Sequence, residues 1–183
     1  MLLSDEDLVR SYAAGEPGSF DQLYARYKDP LFRYCCFVLR NRTRAEDILQ
    51  KAFLRFIENA ESLARNRTLR FKPWMYRVTA NLCKDELKRS ENRFTVSVDD
   101  MGLMASTHDG HELDLEKLDL EKAIDQAIRV LPEKARQVIG LHYYSGLDHA
   151  SIARILKIPI GTVKSRMSKA SETLARLLKG RKP

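Results

Sequence analysis

A chain of 183 residues with 44% hydrophobic and 31% charged side chains has the make-up of one or two globular domains, and its eight glycines and few β-turn dipeptides leave little room for a large sheet. No apolar run approaches the ~20 residues of a membrane span, the acidic opening MLLSDEDLVR has no apolar core of a signal peptide, and three cysteines without a CxxC spacing argue for a reducing cytoplasm and against a disulfide framework or a zinc site. The net charge of +7 is uneven: residues 1–94 carry 18 basic and 13 acidic side chains, residues 95–121 one basic and eight acidic, and residues 122–183 thirteen basic and four acidic, so an acidic strip separates two basic bodies of the kind that bind nucleic acid.

Ser4 with Asp7 forms a capping-box pattern that predicts a helix to about Ala14, where GEPGS breaks it. Phe20, Leu23, Tyr24, Tyr27, Leu31, Phe32 and Cys35 keep helical spacing to about Leu39, with Pro30 expected to kink or interrupt the run. The adjacent Cys35 and Cys36 read as small core residues. NRTRAED is a turn and a new cap, after which Ile48, Leu49, Ala52, Phe53 and Phe56 define a third helix. Residues 62–73 lack clean periodicity and carry Arg65, Arg67, Arg70 and Lys72, which predicts a basic loop. Pro73 then starts a fourth helix, with Trp74, Val78, Leu82 and Leu87 in its apolar stripe, ending near Arg93.

Residues 95–118 lose periodicity and read as a flexible acidic linker; His108 and His111 lie there without enough neighbouring ligands for a metal site. A helix follows from Leu120 through Ile124, Ala127 and Ile128 to Leu131. Pro132 opens the next, with Val138, Ile139 and Tyr143 inside it, and Gly146 stops it.

Two short helical patterns then stand nearly end to end. Asp148 suits an N-cap ahead of the stripe Ile152, Ala153, Ile155 and Leu156. Pro159 suits the start of a second helix, with Ile160, Val163, Met167, Ala170 and Leu174 on one side and Lys164, Ser165, Arg166 and Lys169 on the other. Two helices of two to three turns joined so tightly must cross steeply, as in a helix-turn-helix, and the polar side of the second fits a major groove. A three-helix core with a merely solvated basic face is the alternative. Neither a phosphate-binding glycine loop nor a catalytic serine or zinc motif occurs, and the four histidines are scattered, so no enzyme and no cofactor is expected.

Four stretches in this order and spacing, AEDILQKAFLRF (45–56), WMYRVTANLCKDELKR (74–89), LPEKARQVIGLHYYSGLDHASIA (131–153) and IGTVKSRMSKA (160–170), resemble bacterial RNA polymerase sigma factors of the extracytoplasmic-function class. The resemblance covers nearly the whole chain. It implies an all-α fold of two small helical domains, a sigma-2 domain at 1–94 and a helix-turn-helix sigma-4 domain at 120–183, joined by the acidic linker at 95–119. It implies a cytoplasmic, non-enzymatic initiation subunit whose partners are core polymerase, through the β′ clamp helices and the β flap, and promoter DNA, with an anti-sigma factor in members that have one.

Position by position, the resemblance implies that Glu46, Asp47, Gln50 and Phe53 dock on core polymerase, Phe53 being equally readable as core. The loop arginines Arg65, Arg67 and Arg70 with Lys72, and the helix residues Asn81, Lys84 and Lys88, fall on the −10 element. Asp85 fits the same side or a structural ion pair, and Trp74 fits a core anchor better than a base-stacking surface. Thr162, Lys164, Ser165, Arg166, Ser168 and Lys169 fall on the −35 element, Arg166 as a backbone-contacting or structural residue. In the linker, an acidic strip is compatible with mimicry of nucleic acid.

Three residues depart from the family pattern. Lys157 stands where glycine is frequent, and a left-handed backbone there costs a lysine ~1 kcal/mol. Ser171 and Lys169 replace frequently basic and arginine positions, and lysine lacks the bidentate fork that reads guanine. An autonomous helix-turn-helix regulator and a helical interaction module remain the rival readings; the first would not need 45–56 and 74–89, the second would not need the terminal hairpin.

Overall fold

The computed structural model describes residues 3–92 and 126–179, and among them every regular element is helical. Helix α1 spans Asp5–Ala13, with Ser4 accepting from the Asp7 N–H as N-cap. The Ser4 hydroxyl also donates to the Asp7 carboxylate at 2.6 Å. Helix α2 spans Gly18–Leu39 and runs through Pro30 without ending. The proline forfeits one backbone hydrogen bond, and its neighbours Tyr27, Leu31, Tyr34 and Cys35 are buried, so tertiary packing offsets the loss.

Arg40 caps α2 in the left-handed region at φ 54°, and Asn41 then caps α3, Arg42–Arg65, accepting from the Arg44 N–H. Helix α3 is longer than its sequence pattern predicts, so the basic loop shrinks from 62–73 to the five residues between Arg65 and Phe71. Helix α4 spans Phe71–Asn92. Pro73 sits inside its first turn rather than at its start, where the missing N–H would have no intrahelical partner anyway. Its buried face also differs from expectation: Phe71, Met75, Tyr76, Thr79, Ala80 and Cys83 are buried, while Trp74, Val78, Leu82 and Leu87 lie half-buried on the flank.

Helix α1 lies across the others and supplies polar ties. Glu6 accepts the Phe71 N–H at 2.9 Å, capping α4 from 65 residues away. Asp5 holds Arg26 at 2.8 Å and accepts from the Tyr27 hydroxyl. Cys35 and Cys83 face each other across α2 and α4 with sulfurs 3.8 Å apart as free thiols, and Cys36 is only half-buried.

Residues 126–130 are helical. Helix α5, Glu133–Ser145, ends on Gly146 at φ 63°, as the sequence predicts. Tyr143, placed inside this helix by the pattern, is 72% exposed, and Tyr144 takes the inward position. Helix α6, His149–Leu156, is capped by Asp148 accepting from the Ser151 N–H at 2.7 Å. Helix α7, Ile160–Lys179, extends well past the expected two to three turns. Residues 93–125, with the linker, the start of the helix expected from Leu120 and the proposed domain boundaries, lie outside the described residues.

The two small helical bodies, α1–α4 and α5–α7, share one buried cluster. Helix α5 lies on α2, and α6 packs on α4. Gly140 makes that approach close: a Cβ there would stand 3.0 Å from the Tyr34 ring and 3.1 Å from that of Phe37.

Candidate nucleic-acid interface

Helices α6 and α7 form the expected helix-turn-helix. Ile152 and Ile155 of α6 and Val163 and Ala170 of α7 are buried, and Met167 and Leu174 pack beside them. Lys157 closes α6 in the left-handed conformation, φ 54° and ψ 48°, so the sequence expectation of strain at this lysine holds. The side of α7 opposite Val163 carries Lys164, Ser165, Ser168 and Lys169, all exposed, with Thr162 and Arg166 half-buried on its borders. Ile160, expected in the apolar stripe, is 46% exposed instead, because the buried stripe of the helix begins one turn later, at Val163. Ser165 donates to the Thr162 carbonyl at 3.1 Å and Ser168 to the Glu172 carboxylate at 3.0 Å. Glu172 therefore belongs to this face, although a search for basic residues passes over it.

The loop before α4 is ordered by its own asparagine. Asn66 accepts from the Thr68 N–H at 2.9 Å and from its hydroxyl at 3.0 Å, an Asx-type turn. Leu69 is buried and anchors the loop, while Arg67 and Arg70 are exposed. Arg65 is helical and ion-paired to Glu61 at 3.0 Å with both side chains about four-fifths exposed, a contact of little energetic weight. Lys72 is exposed in the first turn of α4. Further along the same helix, Asn81, Lys84 and Lys88 are exposed at spacings of three and four, and Arg77 extends the row by one turn. Asp85 is exposed; the structural ion pair belongs to its neighbour Glu86, which faces Arg44 of α3 at 3.7 Å. Trp74 is half-buried and stacks at 6.1 Å on Phe71.

On α3, Glu46, Asp47 and Gln50 are exposed, with Glu46 held by Arg42 at 3.2 Å. Phe53 is 4% exposed and belongs to the core. The exposed apolar residues of this face are Leu54 and Ile57, 56% and 42% exposed, with Tyr24 of α2 at 39%. The helical period assigns Phe53 to the core stripe, and Leu54 is the signal it leaves over.

No group of side chains among the described residues is arranged to hold a metal ion, and no described helix is long and apolar enough to cross a membrane. The perturbed side chains are structural. Burial raises the Tyr27, Tyr34 and Tyr76 hydroxyls, and the hydrogen bond from Ser151 lowers Asp148.

Two family models match the chain: Sigma-70 region 2 over residues 23–93 and Sigma-70, region 4 over residues 121–174. The chain is 33% identical to the ECF RNA polymerase sigma factor SigW of Bacillus subtilis, over 93% of this chain and 95% of that protein. It is 30% identical to the ECF RNA polymerase sigma factor SigM of Mycobacterium tuberculosis, over 96% of this chain and 85% of that one. Among solved structures it is similar in fold to the sigma factor RpoE in complex with the anti-sigma factor NepR from Bartonella quintana, with a TM-score of 0.67 at 24% identity over 89% of this chain and 98% of that chain. With both sigma regions matched in order and full-length relatives at this identity, the chain belongs to the extracytoplasmic-function RNA polymerase sigma factors and serves promoter-specific transcription initiation.

Proposed function

We propose that this sigma factor recruits core RNA polymerase through α3 and reads a promoter with two separate heads. The observation that carries the reading is the α7 face: Lys164, Ser165, Ser168 and Lys169 are exposed together on a helix whose other side is buried through Val163 and Ala170. Such a helix can enter a major groove with its scaffold intact, and serine and lysine side chains there reach phosphates and base edges. Thr162 and Arg166 border the −35 contact.

The −10 element is read by Arg67 and Arg70 of the loop, assisted by Arg65, Lys72, Asn81, Lys84 and Lys88, with Arg77 added to that row. The β′ clamp helices take Glu46, Asp47 and Gln50, and Leu54 and Ile57 give that contact the apolar area that buried Phe53 cannot. The β flap is the second polymerase contact, on the sigma-4 body. The solved neighbour's complex with an anti-sigma factor supports a partner of that kind here. The site of action is the cytoplasm, where core polymerase and promoter DNA meet.

Initiation from a promoter library, with purified core polymerase and this chain added, tests the proposal. Specific start sites that appear only with both components are the expected result. Tight, sequence-specific duplex binding by the free chain at physiological salt would favour an autonomous regulator instead.

A further inference from the structure

Two hydroxyl protons on the outer face of α7 are already committed inside the helix. Ser165 donates to the Thr162 carbonyl at 3.1 Å, and Ser168 donates to the Glu172 carboxylate at 3.0 Å. The direction of both bonds is forced, because a carbonyl and a carboxylate have no proton to give. Ser165, Ser168 and Glu172 follow one another at spacings of three and four and are all exposed, so they form one stripe on the side of the helix away from Val163 and Ala170.

A hydroxyl has one proton and two lone pairs. With the proton spent, each serine offers only lone pairs to whatever approaches it. A phosphate oxygen is an acceptor and gains nothing from such a group. The N7 and O6 of guanine, the N7 of adenine and the O4 of thymine are acceptors as well. The donors on the major-groove edges are the N6 amino group of adenine and the N4 amino group of cytosine. Lys164 and Lys169 are the reverse case: exposed ammonium groups that donate and cannot accept. They suit phosphates and the guanine and thymine edges. The face is thus divided by hydrogen-bond polarity, lysines as donors and serines as acceptors.

The two serines are fixed by different means. Ser165 leans on its own backbone, so its orientation travels with the helix. Ser168 depends on one side chain. Glu172 stands four residues beyond it, about 6 Å further along the axis. That is away from the N-terminal turns that a recognition helix presents to base edges. Glu172 therefore acts through Ser168, as a positioning residue.

We infer that Glu172 fixes Ser168, with Ser165 beside it, as a hydrogen-bond acceptor that reads the exocyclic amino group of an adenine or a cytosine in the −35 element. The inference rests on the proposed entry of α7 into the −35 groove and adds the base chemistry that this face selects.

The test uses the full chain bound to core polymerase. Affinity for promoter duplexes is measured by competition, with one −35 adenine at a time replaced by 2′-deoxynebularine, which lacks the N6 amino group, or one cytosine by a 2-pyrimidinone nucleoside, which lacks the N4 amino group. A parallel library randomised at the −35 element reads base preference. We expect one such amino deletion to weaken the wild-type complex about fivefold, the size of one neutral hydrogen bond. The same deletion should cost Ser168→Ala nothing further. Glu172→Gln should respond as wild type does, because its amide oxygen still accepts the Ser168 proton while the charge is gone. Glu172→Ala frees that proton, and guanine or thymine should then be tolerated at the same position. Equal core polymerase binding by the three variants shows that the fold is kept.

A wild-type preference for guanine or thymine at the position that responds to Ser168→Ala would overturn the inference. An unchanged preference in Glu172→Ala would do the same, as would a Ser168→Ala loss spread evenly over all −35 sequences. If the −35 preference depends on Lys164 and Lys169 but ignores Ser168 and Glu172, the inference fails alone. A wild-type complex with no −35 preference at all fails the proposed placement of α7, and the inference with it.

Discussion

Phe53 lies with its ring 4.8 Å from that of Tyr24 and 6.0 Å from that of Phe20. The residue that family resemblance offers for docking is thus part of the aromatic cluster that holds α2 to α3. Phe53→Ala should cost about 3–5 kcal/mol in urea denaturation. Gln50→Ala and Leu54→Ala, on exposed positions, should stay within about 0.5 kcal/mol of wild type and weaken core polymerase binding in a pull-down titration. Unchanged polymerase affinity in both exposed variants would move the docking surface off α3.

Lys157 carries a backbone conformation that L-residues avoid. Lys157→Gly should raise the unfolding free energy by ~1 kcal/mol, the left-handed penalty less part of glycine's entropic cost. Promoter preference should not change, because the side chain is at the joint and not on the α7 face. A destabilised Lys157→Gly chain would show that the lysine makes a contact worth more than the strain.

Exposed lysines on α7 give a salt signature. Lys164→Ala or Lys169→Ala should reduce the slope of log affinity against log salt by about one for the −35 duplex if the lysine contacts phosphate. A base contact would instead change the preferred −35 sequence at one position, by about 1–3 kcal/mol. Replacing the loop residues Arg67–Arg70 should alter the −10 preference and leave the −35 preference alone. Cross-talk between the two preferences in a library randomised at both elements would count against these assignments.

Acid should loosen the helix-turn-helix at its cap. The hydrogen bond from Ser151 holds Asp148 below the ordinary carboxylate value of 3.8, so its folded pKa lies under its unfolded one. The cap's contribution is therefore complete above that ordinary value and is lost as pH falls through the depressed folded value. Asp148→Asn, which caps without titrating, should flatten the acid limb of helicity monitored by circular dichroism. Asp148→Ala should lower stability at every pH. An acid limb identical in wild type and Asp148→Asn would assign the transition to other carboxylates.

The thiols should be slow. Cys35 and Cys83 are buried, and burial pushes the half-buried Cys36 up to about 11. At pH 8 only ~0.1% of such a thiol is thiolate. Iodoacetamide should label the native chain slowly and all three cysteines rapidly in denaturant, read by mass spectrometry. Fast labelling of Cys36 in the native chain would contradict its surroundings.

Caps and stops were legible in sequence because they are local. Ser4, Asn41, Gly146 and Asp148 each act on backbone groups within a few residues, so composition and spacing suffice to place them. The α7 face was legible for the same reason: Val163 and Ala170 define its buried side by period alone. Boundaries set by distant groups were not. The start of α4 is capped by Glu6 reaching the Phe71 N–H from α1, which no local pattern contains. The stripe of α4 shifted from Trp74 and Val78 to Met75, Thr79 and Cys83 because α4 faces both α2 and the second body.

Sequence by itself determined the helical class, the charge inversion between two basic bodies, the helix-turn-helix joint with its strained Lys157, and the order of motifs that identifies the family. Each follows from periodicity, capping chemistry or the order of residues along the chain. Tertiary structure decided that Phe53 is core and Leu54 is surface, that Arg77 and Glu172 lie exposed beside the polar rows of α4 and α7, and that Gly140 lets one body settle on the other. Those outcomes turn on which residues distant in sequence come within van der Waals reach, and a helical period gives the direction of a side chain without naming what waits there.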